Sequence, residues 1–309
     1  MGRYPEAERA FRAAASLAPS NAYYQARVAW AKLDQGRIDE AAAEAWELIQ
    51  RFPDESYPSK VLRAAAEALR EKKRPVEALQ LMQKLASARP MDDATMTQLV
   101  VAIEAIEASV SVDTALAEAW QLLDAFPDDE RAQRVVRYVI LSLRSRDRDA
   151  DALAAARTLL ARQPHDQAVK RTFALTRLSD AESKMTPVGT NSHVILNKAQ
   201  ASYYAQALHE VEALDVTDDD VRRAVQNNRA YLAKQTKTRV TLSFGRVVLA
   251  LLALVFFFIA LGTLAQGGFI WLVVAGLLGW WFYAITVKKQ YQLTYKDADP
   301  ATRKRGLQR

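Results

Sequence analysis

The side chains able to do chemistry are few and scattered. Histidine occurs at His165, His193 and His209 only, with none of the short spacings that bring imidazoles onto one metal, so each is read as an incidental surface residue. Cysteine is absent, which removes a thiolate nucleophile, a disulfide framework and a cysteine-based zinc site together. Asp218, Asp219 and Asp220 stand in a row, but lack the spaced oxygen ligands of a calcium loop. With Thr217 they read as a capping box whose acids meet the positive end of a helix dipole. No glycine-rich phosphate loop and no nucleophile elbow occurs. No enzyme, cofactor or metal is therefore expected. Arg303, Lys304 and Arg305 form a basic cluster without interleaved aromatics, so no nucleic acid is expected and lipid headgroups account for the charge.

What must carry function is therefore surface, and the chain builds surface by repetition. Ala7, Ala41, Ala78, Ala115 and Ala152 recur, and Pro19, Pro53, Pro90, Pro127 and Pro164 follow each by twelve residues, so the period is 34 and then 37 three times. Leu48, Leu85, Leu122 and Leu159 hold a third fixed place. Alanine suits a close crossing of two helices. Leucine seven residues later lies on the same face, and proline ends the second helix because its ring blocks continuation. Acids after the proline, as in Pro53-Asp54-Glu55 and Pro127-Asp128-Asp129, suit the next helix start.

The segment running through Gly2, Tyr4, Ala7, Phe11, Ala14, Leu17 and Pro19 resembles the second half of a tetratricopeptide (TPR) repeat, whose period is 34 residues. The resemblance covers residues 2–185. It implies an all-α, TPR-like solenoid of helix pairs that binds proteins or peptides on the face lined by the first helices. In the family's register that groove includes Tyr23, Trp30, Leu33, Lys60, Arg63, Glu67, Arg70, Glu104, Glu107, Arg134, Arg137 and Arg144. Trp30 is either an interface anchor or a filler between repeats. Ala26 and Trp30 stand where the family's chaperone-tail binders carry the Lys and Asn of a carboxylate clamp, so that ligand is not expected. Gly36 with Ile38 keeps the family's turn between helices. Lys73, Val110 and Asp147 replace glycine there, and those turns are expected to differ. The three added residues per unit are expected to lengthen the first helix or the approach to it.

Beyond the repeats, residues 165–185 read as one more first helix without a second, a common way to close a solenoid. Residues 186–192 have the composition of a loop. Two helices are expected at about 194–214 and 218–237, the second running on toward an apolar stretch because neither proline nor glycine intervenes before Gly245.

That stretch, 247–287, contains no charged residue. It divides into 247–265 and 269–287, each about 28 Å as helix, against a hydrocarbon core of about 30 Å. Gln266, Gly267 and Gly268 make the turn. Only helices satisfy their backbone groups in lipid, so a two-helix transmembrane hairpin is expected. Trp271 and, at the other end, Trp280, Trp281 and Tyr283 suit aromatic belts. Ala275 and Gly279 form one small-residue pair that lets helices approach, and without ionisable groups in the spans an anchor is favoured over a conducting path.

The flanks carry Arg229, Lys234, Lys237, Arg239 and Arg246 before the hairpin, and Lys288, Lys289, Lys296, Arg303, Lys304, Arg305 and Arg309 after it, against Asp297 and Asp299 alone. They hold +10 of charge, so the net +6 leaves about −4 for the rest. Both ends are thus expected on the cytosolic side, beside anionic headgroups. Glu6, Glu8, Arg9 and Arg12 interrupt the first twenty residues, which excludes a signal-peptide core there. The alanine- and arginine-rich composition suggests a bacterial inner membrane.

The expected organisation is TPR-like repeats over 1–185, a loop and juxtamembrane helices over 186–246, the hairpin over 247–287 and a basic tail over 288–309. It reads as a membrane-anchored scaffold that binds protein partners, including other membrane proteins. A structural subunit of a secretion, envelope-polymer or transport complex is the alternative. Residues 2–19 form half a repeat, so upstream residues or a docked protein are expected to cover Tyr4, Ala7, Phe11 and Ala14.

Overall fold

The computed structural model describes residues 4–89, 92–188, 192–240, 248, 251–252, 254–255, 257–259, 273–274, 276–277, 279–281, 283 and 287–298. They fall into two compact units, 1–148 and 149–309.

The first unit is a stack of antiparallel helices: α1 (Tyr4–Leu17), α2 (Ala22–Asp34), α3 (Ile38–Arg51), α4 (Ser56–Glu71), α5 (Pro75–Ala88), α6 (Asp93–Ser109), α7 (Val112–Ala125) and α8 (Glu130–Ser145). Each packs on the next, and the first helices α2, α4, α6 and α8 also touch in succession. The alanine markers Ala41, Ala78 and Ala115 are fully buried, and Leu48, Leu85 and Leu122 lie beside them in the core. Ala7 is only half-buried. The added residues go where expected. The first helices lengthen from 13 residues in α2 to 16, 17 and 16, whereas α3, α5 and α7 all stay at 14.

The turns between paired helices correct one expectation. Gly36 sits at φ +79°, and Lys73 and Asp147 adopt the same left-handed conformation at +61° and +58°. The hydrogen bonds repeat as well: Gly36 N donates to Leu33 O and Arg37 N to Lys32 O, Lys73 N to Arg70 O and Arg74 N to Leu69 O, Asp147 N to Arg144 O and Arg148 N to Leu143 O. Closing the helix end this way outweighs a left-handed cost of roughly 1–2 kcal/mol. Only Val110 departs. A β-branched residue is an outlier at positive φ, and Val110 takes φ −120°. Its turn has two residues between helices instead of three, with Ser111 capping α7 through bonds from the Asp113 and Thr114 amides.

The second unit begins with α9 (Asp149–Arg162) and α10 (Gln167–Ser183), which pack together around Ala152, Ala156 and Leu159. Here two short ribbons interrupt an otherwise all-α fold. The 186–192 loop opens as strand β1 (Thr186–Val188), which pairs antiparallel with β2 (Ser192–Val194). Helix α11 (Lys198–Glu212) therefore starts after the 194 boundary expected for it, at the Asn197 cap. It packs against α10, so α10 does gain a partner, delayed by the ribbon. Buried Gln200 ties the two, donating to Lys184 O and Thr186 Oγ1 while accepting from the Leu196 amide. Ala174, Leu178, Tyr204, Leu208 and Val211 form the core there.

Helix α12 (Asp219–Thr236) does not run on toward the apolar stretch. The chain turns extended at Lys237, and β3 (Thr238–Val240) pairs antiparallel with β4 (Val287–Lys289), followed by α13 (Gln290–Asp297). Thr236, Thr238 and Val240 are β-branched, which lowers helix and raises strand preference. Most of 247–287, including Gln266–Gly268 and Trp271, lies outside the described residues. Among the described residues no helix is long and apolar enough to cross a membrane.

Candidate partner-binding surface

The first-helix face of the first unit holds the residues expected to line a groove, but it does not use them alike. At its start Tyr23 of α2 and Tyr57 of α4 are each 39% exposed and meet edge to face at 5.0 Å between ring centroids. Tyr24 joins Tyr23 at 5.6 Å, and Lys60 Nζ lies 5.2 Å from the Tyr57 ring. An open aromatic cluster with a cation beside it offers large apolar contact area at low entropic cost. Tyr57 was not among the expected residues, although it stands 34 positions after Tyr23 and so occupies the same place in the next repeat. Trp30 and Leu33 are half-buried further along α2.

Farther on, the face is tied into the stack. Arg63 pairs with Asp92 at 2.8 Å and Arg70 donates to Gln98, both linking α4 to α6. Glu107 is a correction: it is 5% exposed and lines no groove. It accepts from Tyr138 Oη at 3.0 Å, from Ser142 Oγ and from Arg146, which join α6 to α8. A buried carboxylate needs such donors, and the hydrogen bond to Glu107 raises the Tyr138 hydroxyl above its ordinary pKa. Glu67 and Arg134 are exposed, and Glu104, Arg137 and Arg144 are half-buried.

A second set of residues escaped the sequence reading. Arg74 reaches back to Asp39 and Arg148 to Asp113, each at 2.9 Å, while Arg37 binds buried Glu8 at 3.0 Å. The signal was present, since Arg37, Arg74 and Arg148 recur at one and two periods of 37. At Glu8 the hydrogen bond from Gln35, with Arg12 and Arg37, outweighs burial and holds the carboxyl below its usual range. Phe11 on the outer helix is half-buried beneath Arg27, whose guanidinium lies 5.0 Å from the ring centroid.

The remaining candidates have ordinary partners. Asp218 alone caps α12, accepting from the Asp220 and Val221 amides, and pairs with Arg171 at 2.9 Å. Asp219 pairs with Arg222 and Asp220 with Arg223. His165, His193 and His209 are exposed and dispersed, and no group of three potential ligands stands together among the described residues. Of the basic flank, Lys234 and Lys237 are exposed at the end of α12, and Arg239, Lys288 and Lys289 belong to the paired strands. Arg246, Arg303, Lys304 and Arg305 lie outside the described residues.

No family model and no curated protein sequence matches the chain. Solved structures similar to it include a thermophilic TPR protein of Thermus thermophilus, at 22% identity over 57% of this chain and 91% of that one, with a TM-score of 0.28. A tetratricopeptide repeat protein from Parabacteroides merdae matches at 12% identity over 73% and 92%, TM-score 0.32. YrrB, described as a TPR protein with an unusual peptide-binding site, matches at 13% over 72% and 100%, TM-score 0.33. The chain's own period and helix pairs carry the description of its fold: a TPR-like helical repeat.

Proposed function

We propose that this protein is a scaffold that binds protein partners through the first-helix face of its repeats and is anchored by the apolar stretch 247–287, with the repeats on the cytosolic side of a membrane. The observation that carries the anchor is the pairing of β3 with β4. Thr238 lies opposite Lys289 and Val240 opposite Val287, so the chain returns to its point of departure after an uncharged stretch of two bilayer lengths. A hairpin with both ends on one side has that geometry. The described residues in the stretch support the same reading. Leu251, Leu254, Phe258, Leu277 and Trp280 are helical and 53–69% exposed, an expensive arrangement in water for large apolar side chains. Basic residues at Lys234, Lys237, Lys288 and Lys289 face anionic headgroups in this reading.

For partner binding, the support is the exposed tyrosine pair Tyr23 and Tyr57 on adjacent first helices. The test is purification from membranes in mild detergent after alkaline washing. Retention in the membrane pellet with a stoichiometric soluble client, lost on Tyr23→Ala/Tyr57→Ala, is the expected result. Release by alkali refutes the anchor. Stoichiometric integral-membrane partners that survive the tyrosine substitutions would instead make the protein a structural subunit, held by its hairpin.

A further inference from the structure

A cavity of about 210 Å³ opens among the start of α4, the end of α5 and the start of α6, lined by Ser56, Ser59, Arg63, Arg89, Asp92 and Thr95. One water needs only about 10–15 Å³ of such space. Its polar groups are incompletely used. Ser59 is 5% exposed, yet its Oγ has no hydrogen-bond partner, and Arg89 Nε is also buried and unpaired. The Arg89 terminal nitrogens are engaged, donating to Glu55 O at 2.6 Å and Phe52 O at 2.9 Å. Buried polar groups are rarely left this way. An arginine Nε is a donor only and a serine hydroxyl always has a proton to give, so the missing partner is an acceptor.

The local charge has the matching sign. Arg63 and Arg89 face one carboxylate, Asp92. Burial opposes its ionisation, but bonds from Thr95 and Arg63 hold its pKa below the usual value, leaving one net positive charge. Helix α4 adds to it. Asn21, Asp92, Asp129 and Asp166 cap the other first helices α2, α6, α8 and α10, whereas Glu55 makes no capping bond and no acid stands in the first turn of α4. The first amides of α4 are thus left without a capping side chain.

We propose that this cavity binds a phosphate-type oxyanion, free or as the end group of a small phosphorylated molecule, with Ser59 Oγ and Arg89 Nε donating to its oxygens. A phosphoryl group offers more acceptor oxygens than a carboxylate and up to two negative charges, which suits donors converging from α4 and the end of α5. The site is independent of the tyrosine pair and of the membrane anchor.

The test is calorimetric titration of the full chain in neutral detergent with inorganic phosphate, against chloride at equal ionic strength. Saturable binding is expected, weakened at least fivefold in Ser59→Ala and unchanged in Ser109→Ala, whose hydroxyl lies outside the cavity. Ser59→Ala removes only an unpaired hydroxyl, so its circular dichroism should match the parent. Competition by glycerol phosphate would assign an esterified ligand, and its failure to compete would assign the free ion; either supports the site. No saturable heat, equal affinity in Ser59→Ala, or acetate binding as tightly as phosphate overturns it.

Discussion

The first unit and the 247–287 stretch are both rich in aliphatic side chains, yet they treat them in opposite ways. In the repeats Leu62, Ala65, Val136, Ile140 and Leu143 are at 0% exposure. In the stretch Phe258 stands at 62%, Leu277 at 61% and Trp280 at 69%. The difference is one of periodicity. Repeat helices alternate apolar with charged faces, as in α8, where Arg137 stands between Val136 and Val139, and such helices bury one stripe. A helix apolar all round has no polar face for water, and the proposed anchor rests on that contrast.

The largest effect that sharpens this contrast comes from paired truncations. Leu143→Ala should destabilise the repeats by about 2–5 kcal/mol, through lost burial and the cavity left behind. Leu277→Ala should leave the same denaturation curve, followed by circular dichroism in detergent, within about 0.5 kcal/mol. Equal losses would mean that the stretch belongs to the repeat core after all.

A smaller loss is expected at Glu107, in the part of the first-helix face that is tied into the stack. Glu107→Ala strips Tyr138, Ser142 and Arg146 of their shared acceptor and should cost about 1–3 kcal/mol, the half-exposed Arg146 moderating it. Glu67→Ala, on an exposed position of α4, should change stability by less than about 0.5 kcal/mol. Binding should divide the same face differently. Reversal of Arg134, Arg137 and Arg144 to Glu should weaken a partner in a salt-dependent manner, whereas Tyr23→Ala and Tyr57→Ala should weaken it at any salt. Binding that survives both changes would move the interface off this face.

The turns give a finer test. Lys73→Gly should stabilise by about 0.5–1 kcal/mol, because it relieves a left-handed lysine, while Gly36→Ala should destabilise by a similar amount. Val110→Gly gains nothing from that relief and should destabilise. The smallest effect is in acid. Glu8 and Glu210 both have folded pKa values depressed below 4.5, Glu8 first by Gln35 and Glu210 first by Arg177. Their contribution is present above the unfolded value and is lost as pH falls through the folded one. Glu8→Gln and Glu210→Gln should therefore flatten the decline in melting temperature below about pH 4.5.

How far the chain could be read in advance follows from the range of the forces involved. Helix ends at Pro19, Pro53 and Pro127 and the buried Ala and Leu markers were legible because proline, alanine packing and a fixed period act locally. Lys73 and Asp147 were misread because the hydrogen bonds of a closed helix end override residue preference at one position. Glu107 was misread because burial depends on α8, some thirty residues away, which supplies Tyr138 and Ser142. The β1–β2 and β3–β4 ribbons, three residues per strand, are too short for a periodic signal, and the second joins segments almost fifty residues apart.

The central claim, that one uncharged hairpin leaves and re-enters on the same side, is open to a direct measurement because the chain contains no cysteine. Single cysteines at Ser20, Gln266 and Gln308 can be exposed to a membrane-impermeant maleimide in right-side-out and inverted vesicles. The account predicts that Ser20→Cys and Gln308→Cys label only in inverted vesicles and Gln266→Cys only in right-side-out ones. Labelling of Ser20→Cys and Gln308→Cys from opposite sides, or of all three from the same side, would contradict it.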